Sequence, residues 1–498
     1  MKSPVPPLFG IAAALLIAAL PVRLHAAALV GSLTEKQATE DARLLQRALK
    51  ELHPALTKYL TQAQMDAAFA RFDARARDAR TASQMYLAAT ELAASIRCGH
   101  TWTNVLNQRD PIRSTLLDSA DKLPLRMTLV EGRWLVLSSA DPAVLVGDEI
   151  LSINGVPGKD IVARMLPYLR ADGSSDGKRL RQLGHDRGDY SQMDIVWPLL
   201  SPPVDGRYTL QLRGQPGPVR TARVKALTLA QRDSILEAQG FKPPGEDWTF
   251  RIEDDVGYLT LPTFSFYRSS FDWSAFISES FARLGAARVP YLVIDMRANE
   301  GGDGAIGGEV LSHLVRKPFE FVSTQSTSAY ERVPYDLARY LDTWDFSFFD
   351  RTGKVEKITE GTAAGKYRYT ERGDGKQTIV PVASPYQGRT FVLVGPENSS
   401  ASFQFDLLAQ QSGVATLVGQ RTGGNQRGLN GGHLAWINLP NSGVAVDIPL
   451  LAGTYTEATP DASVVPEIEV TPSLEARRAG RDVEMEAVKG LVARLSGD

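Results

Sequence analysis

Two short turns in this sequence carry residue types that could perform acyl transfer together. The first lies in Val394-Gly-Pro-Glu-Asn-Ser-Ser400-Ala401-Ser402-Phe403, between an apolar run (390–394) and a stretch with helical periodicity (401–411). A hydroxyl at the mouth between a buried strand and a helix is open to attack a carbonyl. The helix N-terminus also favours an anion there. Asn and Ser are ordinary helix caps as well, so a serine in isolation reads as a cap. The second turn changes that balance. In Val293-Ile-Asp295-Met-Arg297-Ala-Asn299-Glu-Gly301-Gly302 a near-continuous apolar strand runs into a glycine pair, and amides exposed there can stabilise a developing oxyanion.

The reaction then needs a base. No lysine occurs between Lys376 and Lys489, and Arg421 and Arg427 stay protonated. An imidazole suits the task because its pKa lies near working pH. Among six histidines, His100 in Cys98-Gly99-His100-Thr101 ends a helical stretch, and His433 in Gly431-Gly-His433 is its rival. His53, before Pro54, reads as a packing residue, and His185 and His313 as surface or core.

Other chemistries are excluded by the same reading. Gly302-x-Gly304-x-x-Gly307 has the form of a dinucleotide fingerprint, but five residues separate it from the strand end at Met296. No H-E-x-x-H or C-x-x-C spacing points to zinc. Cys98 is the only cysteine, so no intrachain disulfide forms, and it reads as a small buried apolar residue. A formal net charge of −2 with 22% charged residues gives no electrostatic case for nucleic acid or an anionic membrane.

At 498 residues the chain exceeds a single core of about 250–300 residues. Lys2, the apolar run from Phe9 to Leu20, Pro21 and Ala26-Ala27-Ala28 read as a signal peptide over 1–28, which implies a secreted or periplasmic protein with no membrane span after its removal. Residues 29–112 read as a helical cap, with Thr34 and Gln37 forming a capping box. From 115 to 228 short strands and turns alternate. The Gly147-Asp-Glu-Ile-Leu-Ser-Ile-Asn-Gly155 run predicts a turn, a strand and a tight reversal, and Asp172-Gly-Ser-Ser-Asp-Gly177 reads as a flexible loop. Past a linker at Pro243-Pro244-Gly245, strands and helices alternate through 245–498, broken by an aromatic, then glycine-rich insertion at about 318–388. The fold class is multi-domain α+β: a helical unit, a small β domain and an α/β core.

The run Asp295-Met-Arg-Ala-Asn-Glu-Gly-Gly302, then Ser399-Ser400-Ala401-Ser402, then Leu417-Val-Gly419-Gln-Arg-Thr422-Gly423-Gly424 resembles the catalytic core of the family-S41 serine peptidases, the tail-specific and tricorn-core enzymes. The 147–155 run resembles a PDZ domain, which binds a chain end by strand addition. The resemblance implies a core of the ClpP/crotonase type and Ser400 as nucleophile. It implies an oxyanion hole from the amide of Ser400 or Ala401 with that of Gly302 or Gly301, and a bracing role for Asp295, Arg297 and Asn299. The tail-specific branch carries its lysine base where this sequence has Asn425. The histidine-using branch carries a G-H-T like that of His100, with a distant acid, for which Glu457 is the candidate and Asp461 the second. The resemblance gives His433 no role. It implies an endopeptidase or carboxy-terminal-directed peptidase acting on a peptide or protein, held by its C-terminus, with no cofactor or metal. A homo-oligomer is left open. The core also resembles the interphotoreceptor retinoid-binding proteins, so Asn425 keeps open an inactive protein binding peptide or an apolar ligand.

Overall fold

The computed structural model describes residues 32–497 apart from 187, 189, 215–216, 243–244, 246, 268, 362, 371–374 and 456. The signal-peptide segment and the two linker prolines lie outside the described residues.

Helices Glu35–Leu52, Gln62–Asp78 and Ala82–Ser95 form the N-terminal unit. The first starts at the capping box: the Gln37 amide donates to Thr34 Oγ1 at 3.3 Å and the Thr34 amide to Gln37 Oε1 at 2.9 Å. It ends at His53, held extended ahead of Pro54. Its inner face is Leu45, Leu49 and Leu52, all fully buried.

Next comes an antiparallel sheet of Leu125–Val130, Arg133–Ser139, Glu149–Ile153, Arg207–Arg213 and Val219–Lys225, in that order, with Val156–Pro157 folded back on the third strand. Asn154 and Gly155 both take positive φ, 51° and 76°, as a two-residue reversal requires. The helices, this sheet and the Leu434–Asn438/Ala445–Pro449 hairpin share one continuous core. A hairpin far along the chain is thereby locked to the N-terminal unit.

The second core belongs to a six-stranded sheet in the order Ile468–Glu469, Ala415–Gly419, Arg389–Val394, Tyr291–Asp295, Val256–Thr260, Thr249–Glu253. All neighbours are parallel except the last pair. The apolar runs are explained by burial on both faces. Leu292, Ile294, Val392 and Val394 point to the side of helices Trp273–Ala286, Gly304–Leu314 and Ser400–Ser412. Val293, Phe391, Leu393 and Val418 point to the C-terminal helix Val483–Gly497. The segment 318–388 forms short strands: Phe319–Val322 pairs with Lys376–Ile379, and Gln325–Ser328 lies between Tyr367–Tyr369 and Ala452–Thr454. Among the described residues, no helix is long and apolar enough to cross a membrane.

Candidate active site

Strands Tyr291–Asp295 and Arg389–Val394 run parallel with Asp295 beside Leu393, so their carboxyl ends deliver the 296–302 and 395–400 turns to one place. Crevices at the carboxyl ends of parallel strands are where open α/β sheets bind ligands. Two buried asparagines tie the turns together. Asn398 Nδ2 donates to the carbonyls of Met296 (2.5 Å) and Asn299 (3.1 Å), and its Oδ1 accepts from the Gly395 amide at 2.7 Å. Asn299 Nδ2 donates to the Leu261 carbonyl at 2.8 Å, and Ser402 Oγ donates to the Asn299 carbonyl at 2.7 Å. Arg297 pairs with Asp295 at 2.7 Å and with Glu484 at 2.6 Å, anchoring the turn to the C-terminal helix.

Ser400 opens its helix at φ 55°, left-handed backbone that a residue with a Cβ occupies at a cost of about 1–2 kcal/mol. Such strain holds a nucleophile forward on a sharp strand-to-helix turn. Gly301 lies against it at φ 108°; a Cβ on Gly301 would come within 2.8 Å of Ser400 Cβ and 2.9 Å of the Ala401 nitrogen. A Cβ on Gly302, at φ 138°, would come closer still to the Phe264 backbone, at 2.2 Å. Only glycine fits either position. The Gly301 amide is committed to Asn299 Oδ1 at 2.8 Å. Ala401 sits in the first helical turn, where amides lack helical acceptors.

His100 is half-buried, its ring packed at the open face of Gly431. Its pKa is lowered, chiefly by desolvation and further by Arg170 and Lys178, against the opposing charges of Asp172 and Glu300. The ring is therefore neutral in its resting state, able to accept a proton. Glu300, one of the charges acting on His100, directly precedes Gly301. No hydrogen bond joins His100 to Ser400, and among the described residues His100 Nδ1 is buried without a partner. The histidine loop is held from behind. His53 Nε2 meets Thr101 Oγ1 at 3.0 Å, and the Asp447 amide donates to the Trp102 carbonyl at 2.8 Å, pairing the loop with the core hairpin. Burial pushes the His53 pKa down to about 3, so it is a neutral strut.

The two acid candidates differ. Glu457 is exposed in the loop after Ala452–Thr454. Asp461 is engaged elsewhere: Asn425 Nδ2 donates to it at 2.7 Å and the Ser174 amide at 2.9 Å. Asn425 is thus a buried strut to Asp461 and the Asp172 carbonyl (3.4 Å). His433 stacks on Phe348 with ring centres 3.9 Å apart. Cys98 is buried and its thiol pKa is raised by desolvation, so it is no thiolate. His185 shares one nitrogen with both Ser191 Oγ (3.1 Å) and Asp194 Oδ2 (2.8 Å) inside a buried cluster with Arg232, an arrangement that cannot relay a proton from one to the other.

The 172–178 segment departs most from expectation. It reads as a flexible loop, yet Asp172, Ser175 and Lys178 are at most 4% exposed. It forms a wedge between the histidine loop and the glycine turn. Asp172 Oδ1 accepts from the Gly99 amide at 2.8 Å, and Ser175 Oγ donates to the Gly424 carbonyl at 2.8 Å. The Lys178 ammonium donates to Glu300 and, at 3.3 Å, to the Glu397 carbonyl, so it touches both turns. It holds the Glu300 carboxyl down to about 2. No spacing rule marks this lysine, because its partners are more than a hundred residues away.

Residues 255–449 match the model of Peptidase family S41. The fold is similar to the structure of mature CPAF complexed with lactacystin, at TM-score 0.60 and 18% identity over 93% of this chain and 99% of that one. It is likewise similar to mature CPAF, at TM-score 0.57 and 18% identity over 93% and 98%. At that identity the likeness is one of fold. Among curated proteins, no relative matches the sequence.

Proposed function

We propose that this chain, whose residues 255–449 match the model of Peptidase family S41, is a serine peptidase of that kind and hydrolyses peptide bonds through Ser400 and His100 outside the cytoplasm. The observation that carries this is the strained Ser400 pressed against a glycine pair at the carboxyl ends of two parallel strands, and a neutral imidazole that feels the charge of Glu300, the residue before that pair, supports it.

Ser400 Oγ attacks the scissile carbonyl while its proton passes to His100 Nε2. The oxyanion is received by the Gly302 and Ala401 amides; the Gly301 amide is already taken by Asn299. The C–N bond then breaks as His100 protonates the leaving amine. Water, deprotonated by His100, attacks the ester, and the proton passes from His100 to the Ser400 oxygen as the C–O bond breaks, which releases the acid and restores both residues. Glu457 is assigned to orient His100 at Nδ1. Asp461 is set aside because Asn425 and Ser174 occupy it. The 115–228 β unit holds the substrate's C-terminal end, and its wedge reaches the catalytic turns.

The test is turnover of an unstructured protein substrate by the full chain beside Ser400→Ala. Cleavage in the wild type alone supports the assignment, and equal cleavage by both proteins refutes it.

A further inference from the structure

We propose that Lys58 is a positioning residue for the reaction: from the connection between the first two helices its ammonium clamps the 428–431 loop and so fixes the backbone on which the His100 ring rests. This rests on the peptidase reading above.

Three oxygens from two distant segments converge on the ammonium. Lys58 Nζ donates to the Gly428 carbonyl at 2.7 Å, to the Gly453 carbonyl at 2.8 Å and to Asn430 Oδ1 at 2.9 Å. An ammonium has three N–H donors and no acceptor, so all three are spent here. The two segments lie close: a Cβ on Gly428, at φ 89°, would come within 2.6 Å of the Gly453 oxygen. Backbone bonds already lay the loop on strand Ala452–Thr454. The Gly431 amide donates to the Leu451 carbonyl at 2.9 Å, and the Gly453 amide to the Leu429 carbonyl at 2.6 Å. Lys58 closes that junction from the side, and Arg427 Nη1 returns the contact by donating to the Lys58 carbonyl at 3.0 Å.

Two routes lead from this junction to His100. A Cβ on Gly431 would stand 3.4 Å from both Cε1 and Nε2 of His100, so the ring lies along the loop. A shift of Gly431 therefore moves the nitrogen that takes the proton. The second route runs through Asn430, which is 1% exposed. Its Nδ2 donates to Cys98 Sγ at 3.6 Å, two residues before His100.

The charge is what the junction uses. The three acceptors are neutral oxygens, whereas a cation withdrawn from water is ordinarily set against an anion. Burial lowers the Lys58 pKa to about 8; Lys366 and Arg427 add to the lowering, and Asp172 and Cys98 oppose it. Tyr59, whose ring centre is 6.0 Å from the ammonium, has its own phenol pKa raised by burial, as Cys98 has its thiol. A neutral amine keeps two N–H groups and a lone pair, so one of the three oxygens then faces that lone pair and the junction loosens. The clamp releases as pH rises through about 8.

The experiment measures the rate of fluorophosphonate labelling of Ser400 against pH in the full chain. Beside the wild type stand Lys58→Met, which keeps the length of the side chain without its charge, and Lys58→Ala with and without propylammonium, which replaces the atoms removed. Expected is a wild-type rate that declines as pH rises through about 8. Lys58→Met should label about tenfold more slowly below that pH, the scale of one lost charged hydrogen bond, and show no such decline. Propylammonium should restore most of the rate in Lys58→Ala and leave the wild type unchanged, which a merely structural role would not produce. A Lys58→Met labelled at the wild-type rate, or a slowing equal at every pH that propylammonium does not relieve, would overturn the clamp. Should neither variant fold, the wild-type profile decides: a decline through about pH 8 supports the clamp and a level rate overturns it. Absence of Ser400 labelling in the wild type at every pH would instead overturn the peptidase reading beneath it.

Discussion

Replacing Lys178 with methionine removes the ammonium that bridges the 296–302 and 395–400 turns while keeping most of the side-chain volume. Its partner Glu300 is held near 2 instead of 4.5, first by Lys178, which corresponds to about 3 kcal/mol if the pair were fully shielded. Glu300 is 52% exposed, so solvent screening reduces that to about 1–2 kcal/mol. Glu397 retains Arg181 at 3.6 Å, so the loss falls mainly on Glu300 and the glycine turn behind it. If that energy holds Gly301 and Gly302 in register, Lys178→Met slows fluorophosphonate labelling by about tenfold, since 1.36 kcal/mol is a factor of ten. Two further readouts separate positioning from general weakening. Because Lys178 lowers the His100 pKa, its removal moves the acid limb of the labelling-rate profile to higher pH. Because the Glu300 pKa is depressed in the folded state, its contribution is full above 4.5 and is lost as pH falls towards about 2. The stability gap between wild type and variant in denaturant titrations therefore shrinks on acidification. An unchanged labelling rate with an unmoved acid limb would refute a role for Lys178 in positioning Ser400 and His100.

Three other perturbations probe separate parts of the account. Ser400→Gly relieves the left-handed strain at φ 55° and should raise stability in urea titrations by about 1 kcal/mol while abolishing labelling; a loss of stability would contradict the strain argument. Gly301→Ala drives a methyl into Ser400 and the Ala401 amide, so labelling should fall at least a hundredfold, and a variant labelled at the wild-type rate would show that the turn yields freely. Asp406 is fully buried with neither oxygen bonded among the described residues, and burial raises its pKa well above 3.8. A raised carboxyl pKa gives stability that is full below 3.8 and declines as pH rises towards the folded value, so Asp406→Asn should melt higher than wild type at neutral pH, with a gap that closes near pH 4; a gap independent of pH would argue against a protonated Asp406.

The parallel sheet was legible because strands buried on both faces read as apolar runs, and Tyr291–Asp295 and Arg389–Val394 fall where those runs are. The glycine pair and Ser400 were legible because a turn this crowded tolerates few residue types. What escaped reading is polar and long-range. Lys178 meets Glu300 and Glu397 far along the chain, Asn425 meets Asp461 and Asp172, and the hairpin at 434–449 packs into the N-terminal core. None of these leaves a periodic trace. The wedge at 172–178 was misread because Gly, Ser and Asp favour loops wherever they occur. Burial of such a loop depends on the surfaces it meets.

The claim at the centre is that Ser400 is activated by His100. It is tested most directly by treating the full chain with a fluorophosphonate probe and mapping the adduct by mass spectrometry, beside Ser400→Ala and His100→Ala. The account predicts one adduct, on Ser400, absent from Ser400→Ala and reduced to background in His100→Ala. An adduct forming on Ser400 at an undiminished rate without His100, or labelling that persists in Ser400→Ala, would contradict it.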